Sequence, residues 1–556
     1  MKKNRKRISD FSVPALLVLC VAVMCALPAS AQESSVQPRV LTNPTVNLPI
    51  HFAISAPLSE LAKQEVSPPY NFHEVHPPYR PHLQLLKQLA RDNQGRPVTD
   101  EALQTSIGPN VGASIGLNFL GLGYGFPDYS TQWVPPDTNM AVGDTQVAEF
   151  VNSVFDVFDK STGDPLLSAP AQGYNLFTGA GGNCDPSTGN YSVDPIVQWD
   201  KLAHRWMLLW NTFYSGSYTT CMAISKTKDA TGSWYLYQYP QNDGFPDYPK
   251  WGVWSDAYYQ TQNISGYNAY VCAYESAKLV KGNSKAQQIC FTTDGFDTSL
   301  QPGDIDSAST LPPKGEPEVY LGAIDNSNPG THVYEYLFHV DFVHPKKSTF
   351  KGVGGTMPIK VAKFSLACGG FSDCIPQKGT SDVNEALGDR LMYRLAYRNF
   401  GDHQTWLVTH DVTTTGGQVG PRWYEFRAPK DSTKLTVYQQ GTFAPDSNYR
   451  WMGSIAMDKA GDIALGYSIS SSSMYPSISF TGRVPSDSKG TMETEAQIVA
   501  GTAAHNGSSE RWGDYSAMRV DPSDDCTFWY TQEYYLSEGD YTWSSQIASL
   551  KFPGCS

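Results

Sequence analysis

The sequence lacks the short motifs that mark several large enzyme classes. It has no HExxH zinc motif, no phosphate-binding P-loop and no convincing dinucleotide fingerprint. No CxxC pair and no cluster of histidine and cysteine has the spacing of zinc ligands. GASIG, with Ser114 at its centre, has the form of a nucleophile elbow, but the hydrophobic strand and the helix that should flank it are missing. The chain therefore offers no signature of zinc, nucleotide or nucleophilic-serine chemistry.

Positive charge is also scarce. The 556 residues include 41 Lys and Arg against 54 Asp and Glu, a formal net charge of −13. An acidic surface disfavours nucleic acid and anionic membranes as partners, so an acidic ligand would need a local basic pocket. Beyond the N-terminus no stretch is apolar enough for a membrane helix, and we expect no membrane insertion.

The N-terminus has the form of a secretory signal peptide. The basic stretch MKKNRKR precedes an apolar segment, Val13 to Leu27, and the small-residue site Ala29-Ser30-Ala31. We predict cleavage after Ala31 and a mature chain that starts at Gln32. Its expected location is secreted, either extracellular or periplasmic.

Eight cysteines remain once the two in this leader are set aside. An even number of cysteines in an oxidising compartment predicts disulfide bonds. Sequence alone leaves their connectivity open. Pairing neighbours in sequence order predicts Cys184–Cys221, Cys272–Cys290, Cys368–Cys374 and Cys526–Cys555.

Residues 32–120 differ in composition from the rest of the chain. They are rich in proline and polar residues, and the stretch LQLLKQLARD places Leu83, Leu86 and Ala90 on one helical face. We predict an N-terminal extension or linker with one short helix, which packs on the main domain or tethers it.

From residue 121 to residue 556 the sequence is typical of an all-β domain. Short runs rich in Tyr, Trp, Val and Thr alternate with turn residues, and helical periodicity is nearly absent. GFPDYSTQWVPPD and GFPDYPKWGVWSD align without a gap, so that Asp137 matches Asp256. Related strand entries follow Asp194, Glu318, Arg390, Arg450 and Arg511.

These entries recur about every sixty residues, which is typical of a radial repeat in an all-β chain. A small antiparallel sheet cannot bury both of its faces alone, so such sheets stack around an axis. The sequence predicts a seven-bladed β-propeller over residues 121–556. Six blades stay an alternative, because the unit at Glu318 has the weakest match.

The first residue of each innermost strand should point to the mouth of the central channel. The acidic residues of this predicted ring are Asp137, Asp194, Asp256 and Glu318, with Asp514 close by. The basic ones are Arg390, Arg450 and Arg511. Three converging arginines would form a clamp for a carboxylate or sulfate, because guanidinium binds such groups in a fork geometry. The alternative interpretation is that the opposite charges pair with one another between blades.

Asp137, Asp194, Asp256 and Asp514 are the candidate catalytic residues, because paired carboxyl groups serve as acid and base in glycosidic cleavage. Aromatic residues suited to stacking on sugar rings stand beside them in sequence. They are Trp251, Trp254, Tyr258, Tyr393, Trp451 and Trp512.

The segment PPDTNMAVGD offers oxygen ligands for Ca²⁺ at Asp137, Asn139 and Asp144, although it lacks the EF-hand pattern. Ca²⁺ is therefore a secondary expectation. Otherwise we expect neither a cofactor nor a metal.

Three segments, PPDTNMAVGD, GFPDYPKWGVWSDAYYQT and RWGDYSAMRVDPSDDCTFWYTQEYY, resemble a group of exported bacterial β-propeller proteins of unassigned activity. The resemblance spans most of residues 120–556 and implies export and a propeller fold, but no catalytic residues. A more distant likeness to sialidase-like propellers rests on the three arginines, the aromatic residues and a turn like an Asp-box at Asp229 and Trp234. The sialidase arginine motif and a series of clean Asp-boxes are missing.

Two functional hypotheses follow from the sequence. The first is a secreted carbohydrate-active propeller that binds, and in the enzymatic case cleaves, an acidic glycan or polysaccharide at the channel mouth. It would then be a glycoside hydrolase or another polysaccharide-cleaving enzyme. The second is a non-catalytic extracellular propeller for adhesion or binding to a surface protein. In both cases we expect a monomer.

Overall fold

The chain divides into two units, Met1–Gln37 and Pro38–Ser556, and every element described below lies in the second. The computed structural model describes residues 37–63, 88, 91–92, 99–106, 108–129, 133–188, 191–214, 217–241, 243–264, 268–294, 297–307, 309–323, 329–370, 372–507 and 511–556. The predicted signal peptide and the helical face formed by Leu83, Leu86 and Ala90 lie outside these residues.

A few short elements precede the repeated part of the chain. They are β1 (Val40–Leu41), β2 (Thr45–Asn47), β3 (His51–Ile54), the one-turn helix α1 (Leu58–Leu61) and the longer strand β4 (Ser114–Gly123).

The repeated part consists of four-stranded antiparallel meanders, which we number as blades 1 to 7. Blade 1 contains β5 (Asn139–Val142), β6 (Gln146–Phe150), β7 (Val154–Asp159) and β8 (Ala171–Gln172). Blade 2 contains β9 (Tyr191–Asp200), β10 (Arg205–Tyr214), β11 (Ser217–Ser225) and β12 (Trp234–Gln241). Blade 3 contains β13 (Asp247–Val253), β14 (Tyr258–Ile264), β15 (Asn268–Tyr274) and β16 (Gln288–Thr292), with helix α2 (Ser276–Leu279) before the last strand.

Blade 4 contains β17 (Gln301–Ile305), β18 (Glu318–Gly322), β19 (Gly330–His339) and β20 (Thr349–Lys351). The strands β21 (Pro358–Leu366), β22 (Asp373–Ile375) and β23 (Asn384–Glu385) then lead to blade 5, which contains β24 (Leu395–Asn399), β25 (His403–Thr413), β26 (Val419–Pro429) and β27 (Thr436–Thr442). Blade 6 contains β28 (Tyr449–Met457), β29 (Ile463–Ser471), β30 (Met474–Arg483) and β31 (Ala496–Val499). Blade 7 contains β32 (Ala517–Val520), β33 (Phe528–Tyr535) and β34 (Trp543–Lys551).

Short 3-10 helices connect some of these strands. They span Gly173–Phe177, Pro186–Thr188, Pro345–Lys347 and Ala367–Gly369. None of the helices in the described residues has the length and apolar character needed to cross a bilayer.

The first strand of each blade lies at the centre of the molecule. Strands β5, β9, β13, β17, β24, β28 and β32 each contact the next one, and β32 contacts β5 to close the circle. The faces of neighbouring blades bury tryptophan, tyrosine and aliphatic side chains between them, which satisfies the apolar faces that a single sheet would leave exposed. The predicted all-β propeller fold is confirmed.

The last blade is completed from the other end of the chain. Strand β4 pairs antiparallel with β34 and supplies the fourth strand of blade 7, so residues 114–123 close the ring with residues 543–551. This strand crosses the predicted domain boundary at residue 120.

The short N-terminal strands extend other blades. Strand β1 pairs with β20 of blade 4, β2 with β16 of blade 3, and β3 with β12 of blade 2. We call residues 38–57 the belt, because they add a fifth strand to the outer edge of three successive blades. An edge strand with unpaired amide groups is a site of unwanted association, and the belt covers three of them.

The four predicted disulfides are confirmed, as Cys184–Cys221, Cys272–Cys290, Cys368–Cys374 and Cys526–Cys555. The bond Cys272–Cys290 links paired positions of β15 and β16. The bond Cys526–Cys555 ties the chain end to blade 7.

Candidate functional site

A left-handed backbone conformation recurs at or near the start of six inner strands. The residues that adopt it are Asp137 (φ 51°), Asp194 (φ 54°), Tyr248 (φ 54°), Ser299 (φ 51°), Met452 (φ 52°) and Asp514 (φ 31°). Positive φ is uncommon for residues other than glycine, and such strained residues cluster at functional sites. The repeated turn brings the side chains of several blades together at one end of the ring.

Asp137 of blade 1 is almost completely buried, with 1 % of its surface exposed. The amide Nδ2 of Asn152 donates a hydrogen bond of 2.9 Å to its Oδ2 atom. Its Oδ1 atom is buried and has no hydrogen-bond partner among the described residues. Burial, followed by the nearby charges of Asp514 and Asp194, raises the pKa of Asp137 well above its usual value.

Asp194 of blade 2 and Asp514 of blade 7 are the aspartates that face Asp137. The backbone N–H of Tyr248 donates a hydrogen bond of 2.9 Å to Oδ2 of Asp194. Burial raises the pKa of Asp194 to about 6, and the charges of Asp247 and Asp514 act in the same direction. The guanidinium of Arg511 donates a hydrogen bond to Asp514. Three of the four predicted catalytic residues therefore come together.

Lys250 lies among these aspartates and was not identified from the sequence. Its Nζ atom lies 3.4 Å from the centre of the Tyr248 ring and 3.9 Å from that of Tyr515, and it donates a hydrogen bond of 2.9 Å to the carbonyl oxygen of Pro249. Burial lowers the pKa of Lys250 to about 7, although the neighbouring aspartates act to raise it. The one available signal was a lysine inside the repeated loop, directly before the strand residues WGV.

Two of the three predicted arginines reach this site. Arg390 donates hydrogen bonds of 2.8 and 3.1 Å to Asp389, and its guanidinium carbon lies 4.5 Å from the centre of the Tyr248 ring. Arg511 donates to Glu385 as well as to Asp514. Both guanidinium groups are therefore engaged with carboxylates of the protein.

Arg450 requires a correction, because it does not join the other two arginines. Its guanidinium pairs with Asp446 at 2.9 Å and with Glu495 at 2.6 Å, and its side chain is completely buried. The hydroxyl of Tyr467 also donates to Glu495. The predicted three-arginine clamp is not present, because this arginine forms an ion pair within its own blade.

We call the assembled set the central cluster. Its members are Asp137, Asp194, Asp247, Tyr248, Lys250, Glu385, Asp389, Arg390, Arg511, Asp514 and Tyr515. Glu385, Asp389 and Arg390 come from the segment between β21 and β24. The disulfide Cys368–Cys374 anchors the start of this segment.

A second buried polar network joins residues on or near the inner strands. Asp304 of β17 accepts a hydrogen bond of 2.8 Å from Arg394, and it also accepts one from Arg519 of β32. Gln198 of β9 donates to the hydroxyl of Tyr393 at 2.9 Å. Although burial acts to raise it, the charges of Arg394 and Arg519 hold the pKa of Asp304 down at about 2. This network links blades 2, 4, 5 and 7 through paired charges and hydrogen bonds.

Asp256 and Glu318 were assigned to the wrong positions. Asp256 lies in the turn after β13, where its Oδ1 accepts a hydrogen bond of 3.1 Å from the hydroxyl of Tyr259. Glu318 begins β18, the second strand of blade 4, and burial raises its pKa well above the usual value. The two GFPDY copies stand at different distances from their inner strands, so Tyr248, and not Asp256, is equivalent to Asp137.

The predicted aromatic face is also not at the surface. The side chains of Trp251, Trp254, Tyr258, Tyr393, Trp451 and Trp512 all have exposures of 1 % or less. Tyr258 donates a hydrogen bond to Asp200, and the rings of Trp451 and Trp512 pack 5.2 Å apart. These rings fill the core between blades, so they are not available to stack on a sugar.

The three residues considered for Ca²⁺ do not converge. Asp144 lies beyond the other end of β5 and pairs with His204 at 3.0 Å, whereas Asn139 accepts a hydrogen bond of 2.8 Å from the backbone of Val197. Among the described residues, the group with metal-ligand spacing is Asp458, Cys526 and Cys555, and those cysteines form a disulfide.

Burial shifts the pKa values of several groups in the central cluster toward neutral pH. The cluster places buried carboxyl groups with raised pKa values beside a lysine with a lowered pKa, and titratable groups perturbed in this way are typical of active sites. Part of the cluster reaches the surface. The exposed fraction of the side chain is 22 % for Asp389, 13 % for Arg511 and 8 % for Asp514.

No known protein family matches the chain, and no curated protein matches its sequence. Similar solved structures include the WD40 domain of SCAP from fission yeast, at 8 % identity over 73 % of this chain and 82 % of that one, with a TM-score of 0.33. Endo-arabinase from Bacteroides thetaiotaomicron is 12 % identical over 53 % of this chain and 95 % of that one, with a TM-score of 0.28. Exo-beta-1,3-galactanase from Phanerochaete chrysosporium is 9 % identical over 66 % and 80 % of the two chains, with a TM-score of 0.26. Likenesses this distant say nothing about what this chain binds or does.

Proposed function

We propose that this protein is an extracellular carbohydrate-active propeller that binds and cleaves a glycan at the central cluster. The observation that carries the proposal is the meeting of three buried aspartates from three different blades, Asp137, Asp194 and Asp514. The side chains of Asp389 and Arg511 in the same cluster are 22 % and 13 % exposed. A glycoside is cleaved by two carboxyl groups in different protonation states, and this cluster holds its carboxyl groups in different environments.

Each aspartate can be given a role. Asp194, with its pKa raised to about 6, keeps a proton under mildly acidic conditions and is suited to protonate the leaving oxygen. The charge of Asp514 is balanced by Arg511, which suits it to act as the base or nucleophile. Asp137 lies deeper than both. Burial and the charges of its two aspartate neighbours raise its pKa and so favour its protonated form.

An extracellular location is part of the proposal. Four disulfides are typical of proteins that fold in an oxidising compartment. The signal peptide and its cleavage after Ala31 stay predictions.

A non-catalytic binding or adhesion propeller is the second candidate. It is favoured by the pairing of Arg511, at the entry to blade 7, with Glu385, in the segment before blade 5, because an ion pair of this kind stabilises the ring without any reaction. The acidic glycan predicted from the sequence depended on three free arginines. An acidic glycan is therefore one of the substrates to be tested, and the proposal does not assume it.

The test is a cleavage assay on neutral, acidic and amino-bearing polysaccharides, with reducing ends as the readout. We expect Asp194→Asn to lose on the order of a hundredfold or more in rate, the usual effect of removing a general acid. Asp431→Asn is the matched control, because its side chain is 79 % exposed in the turn between β26 and β27. If wild-type protein cleaves nothing but binds one polymer, the binding propeller is correct.

A further inference from the structure

The turn between β28 and β29 of blade 6 carries two buried aspartates that lie outside the central cluster. Asp458 and Asp462 are 0 % and 3 % exposed. Oδ1 of Asp458 accepts hydrogen bonds of 2.9 Å from the backbone N–H groups of Ala460 and Asp462. The backbone of the turn therefore satisfies this one oxygen and fixes the orientation of the Asp458 carboxyl group.

The other buried oxygens of the pair have no donor. Neither Oδ2 of Asp458 nor Oδ2 of Asp462 accepts a hydrogen bond from the described residues. The two carboxyl groups are nevertheless in hydrogen-bond contact with each other. Two ionised carboxylates cannot form such a bond, because each is only an acceptor. One proton held between the two groups supplies the donor and removes one of two like charges.

The charged groups around the pair do not supply that donor. They are Lys459 in the same turn, Arg398 of β24, Arg483 of β30, Asp487 and Glu493 between β30 and β31, and Asp525 between β32 and β33. Arg398 pairs with Asp525 at 2.6 Å, Arg483 donates to Gln439 and to the carbonyl oxygen of Asp487, and the side chain of Lys459 is exposed. Asp487 and Glu493 add negative charge, which favours keeping the proton.

The same turn contacts the part of blade 7 that fixes the chain end. The backbone N–H of Lys459 donates a hydrogen bond of 3.0 Å to the carbonyl oxygen of Asp525. An oxygen of the Asp458 carboxyl group lies within 4.8 Å of both sulfur atoms of the disulfide Cys526–Cys555. A change in the position of the Asp458 carboxyl group therefore acts directly on the contact between blades 6 and 7.

We propose that Asp458 and Asp462 share one proton and form a pH-sensitive latch between blades 6 and 7. When the proton leaves, two buried carboxylates repel each other and the turn loosens around the disulfide. The latch does not depend on the glycan-directed function, so the failure of either proposal leaves the other in place.

The direction of the effect follows from the two states of the turn. Burial, followed by the charge of Asp462, raises the pKa of Asp458 to about 7 in the folded turn, whereas an open turn exposes aspartates with the ordinary pKa of 3.8. The shared proton therefore stabilises the closed turn fully below about pH 4. This stabilisation is lost as the pH rises to about 7, and it changes no further above that pH.

The test measures how fast a water-soluble phosphine reduces Cys526–Cys555 in the folded protein between pH 5 and pH 8. Differential alkylation and mass spectrometry follow each disulfide separately. The rate is divided by that of Cys184–Cys221 in the same molecule, which corrects for the pH dependence of the reductant. We expect this ratio to rise about tenfold or more between pH 5 and pH 7, since each pH unit in this window changes the opening equilibrium by up to about tenfold. A ratio that does not change with pH would overturn the proposal.

Asp462→Asn replaces the shared proton with an amide N–H donor that does not titrate, so the ratio should become independent of pH. Asp458→Asn makes the same replacement from the other side of the pair and serves if the first variant does not fold. Asp431→Asn, at an exposed side chain in the turn between β26 and β27, should keep the wild-type dependence. If either asparagine variant of the pair keeps it as well, another group controls the turn and the proposal is wrong.

Carboxyl carbon chemical shifts of the labelled wild-type protein give a readout that needs no variant. At pH 5 the pair should hold one proton, whereas two free aspartates would both be ionised. Two ionised carboxylates at that pH would overturn the proposal.

Discussion

The Nζ atom of Lys250 lies 3.9 Å from the centre of the Tyr515 ring, so that an inner strand of blade 3 and the entry to blade 7 meet across the end of the channel. The same atom lies within the field of Asp194, Asp137 and Asp514. The charge of this one buried lysine therefore interacts with carboxyl groups from three blades.

Replacing this cation should shift the titration of its neighbours. Lys250 acts to lower the pKa of Asp194, so Lys250→Met should raise that pKa further above about 6. The alkaline limb of the pH–rate profile, which follows the loss of the proton from the general acid, should move to higher pH with it. Carboxylate chemical shifts in a labelled protein check this directly. Lys430→Met, at a side chain that is 63 % exposed, should leave the profile where it is.

The raised pKa of Asp194 also predicts how stability depends on pH. The folded state holds this proton up to about pH 6, whereas the unfolded aspartate releases it near the ordinary aspartate pKa of 3.8. The free energy of unfolding should therefore fall as the pH rises through this window, by on the order of 1–3 kcal/mol from this group. Asp194→Asn should remove that part of the pH dependence. Urea unfolding of both proteins at pH values below and above the window gives the comparison, and parallel curves would contradict the assignment.

A buried ion pair anchors the N-terminal segment to blade 5. Asp100 pairs with Arg422, and the exposed fractions of their side chains are 1 % and 0 %. Asp100→Ala leaves the guanidinium buried without this partner, and the expected loss is about 3–5 kcal/mol of unfolding free energy. The pair Arg39–Asp294 is a useful comparison, because its side chains are 48 % and 61 % exposed. Asp294→Ala should change the denaturation midpoint very little.

Removing the belt should expose the outer edges of blades 2, 3 and 4. We expect a chain that begins at residue 58 to unfold at lower urea concentration and to associate, because three strands lose their backbone partners. Size-exclusion chromatography and urea unfolding measure the two effects. Val343→Ser removes an apolar side chain that is 80 % exposed outside the belt, and it should alter neither. A monomeric truncated chain of full stability would show that the belt is dispensable.

Two disulfides should differ in what they support. Cys368–Cys374 closes a loop of 6 residues and is worth about 2 kcal/mol by loop entropy, whereas Cys184–Cys221 closes 37 residues and is worth about 4 kcal/mol. Replacing the first pair by alanine should loosen the segment that carries Glu385 and reduce activity more than stability. Replacing the second pair should do the reverse. Rates and urea midpoints of the two double variants test this.

The sequence predicted the parts of the fold that repeat. Alternating strands and turns, a period near sixty residues and an even cysteine count are local patterns, and they predicted the all-β propeller and the four disulfides. The belt left no such signal, since β1, β2 and β3 contain two to four residues each and depend on blades that follow much later in the chain.

The sequence predicted the site residues correctly only where the repeated segments stand at the same distance from their inner strands. Asp137, Asp194 and Asp514 were found because each stands just ahead of, or near the start of, an inner strand. Asp256 was misplaced because the two GFPDY loops are followed by different lengths of chain. Lys250 and Asp304 could not be found, because each acquires its role from partners on other blades.

The pairing of β4 with β34 has a consequence for the order of events during synthesis. Residues 114–123 emerge from the ribosome long before residues 543–551, and the strand must wait for almost the whole chain before its partner exists. Six blades can form one after another as they appear. The seventh, and with it the closed circle, can be completed only after translation has reached the final residues.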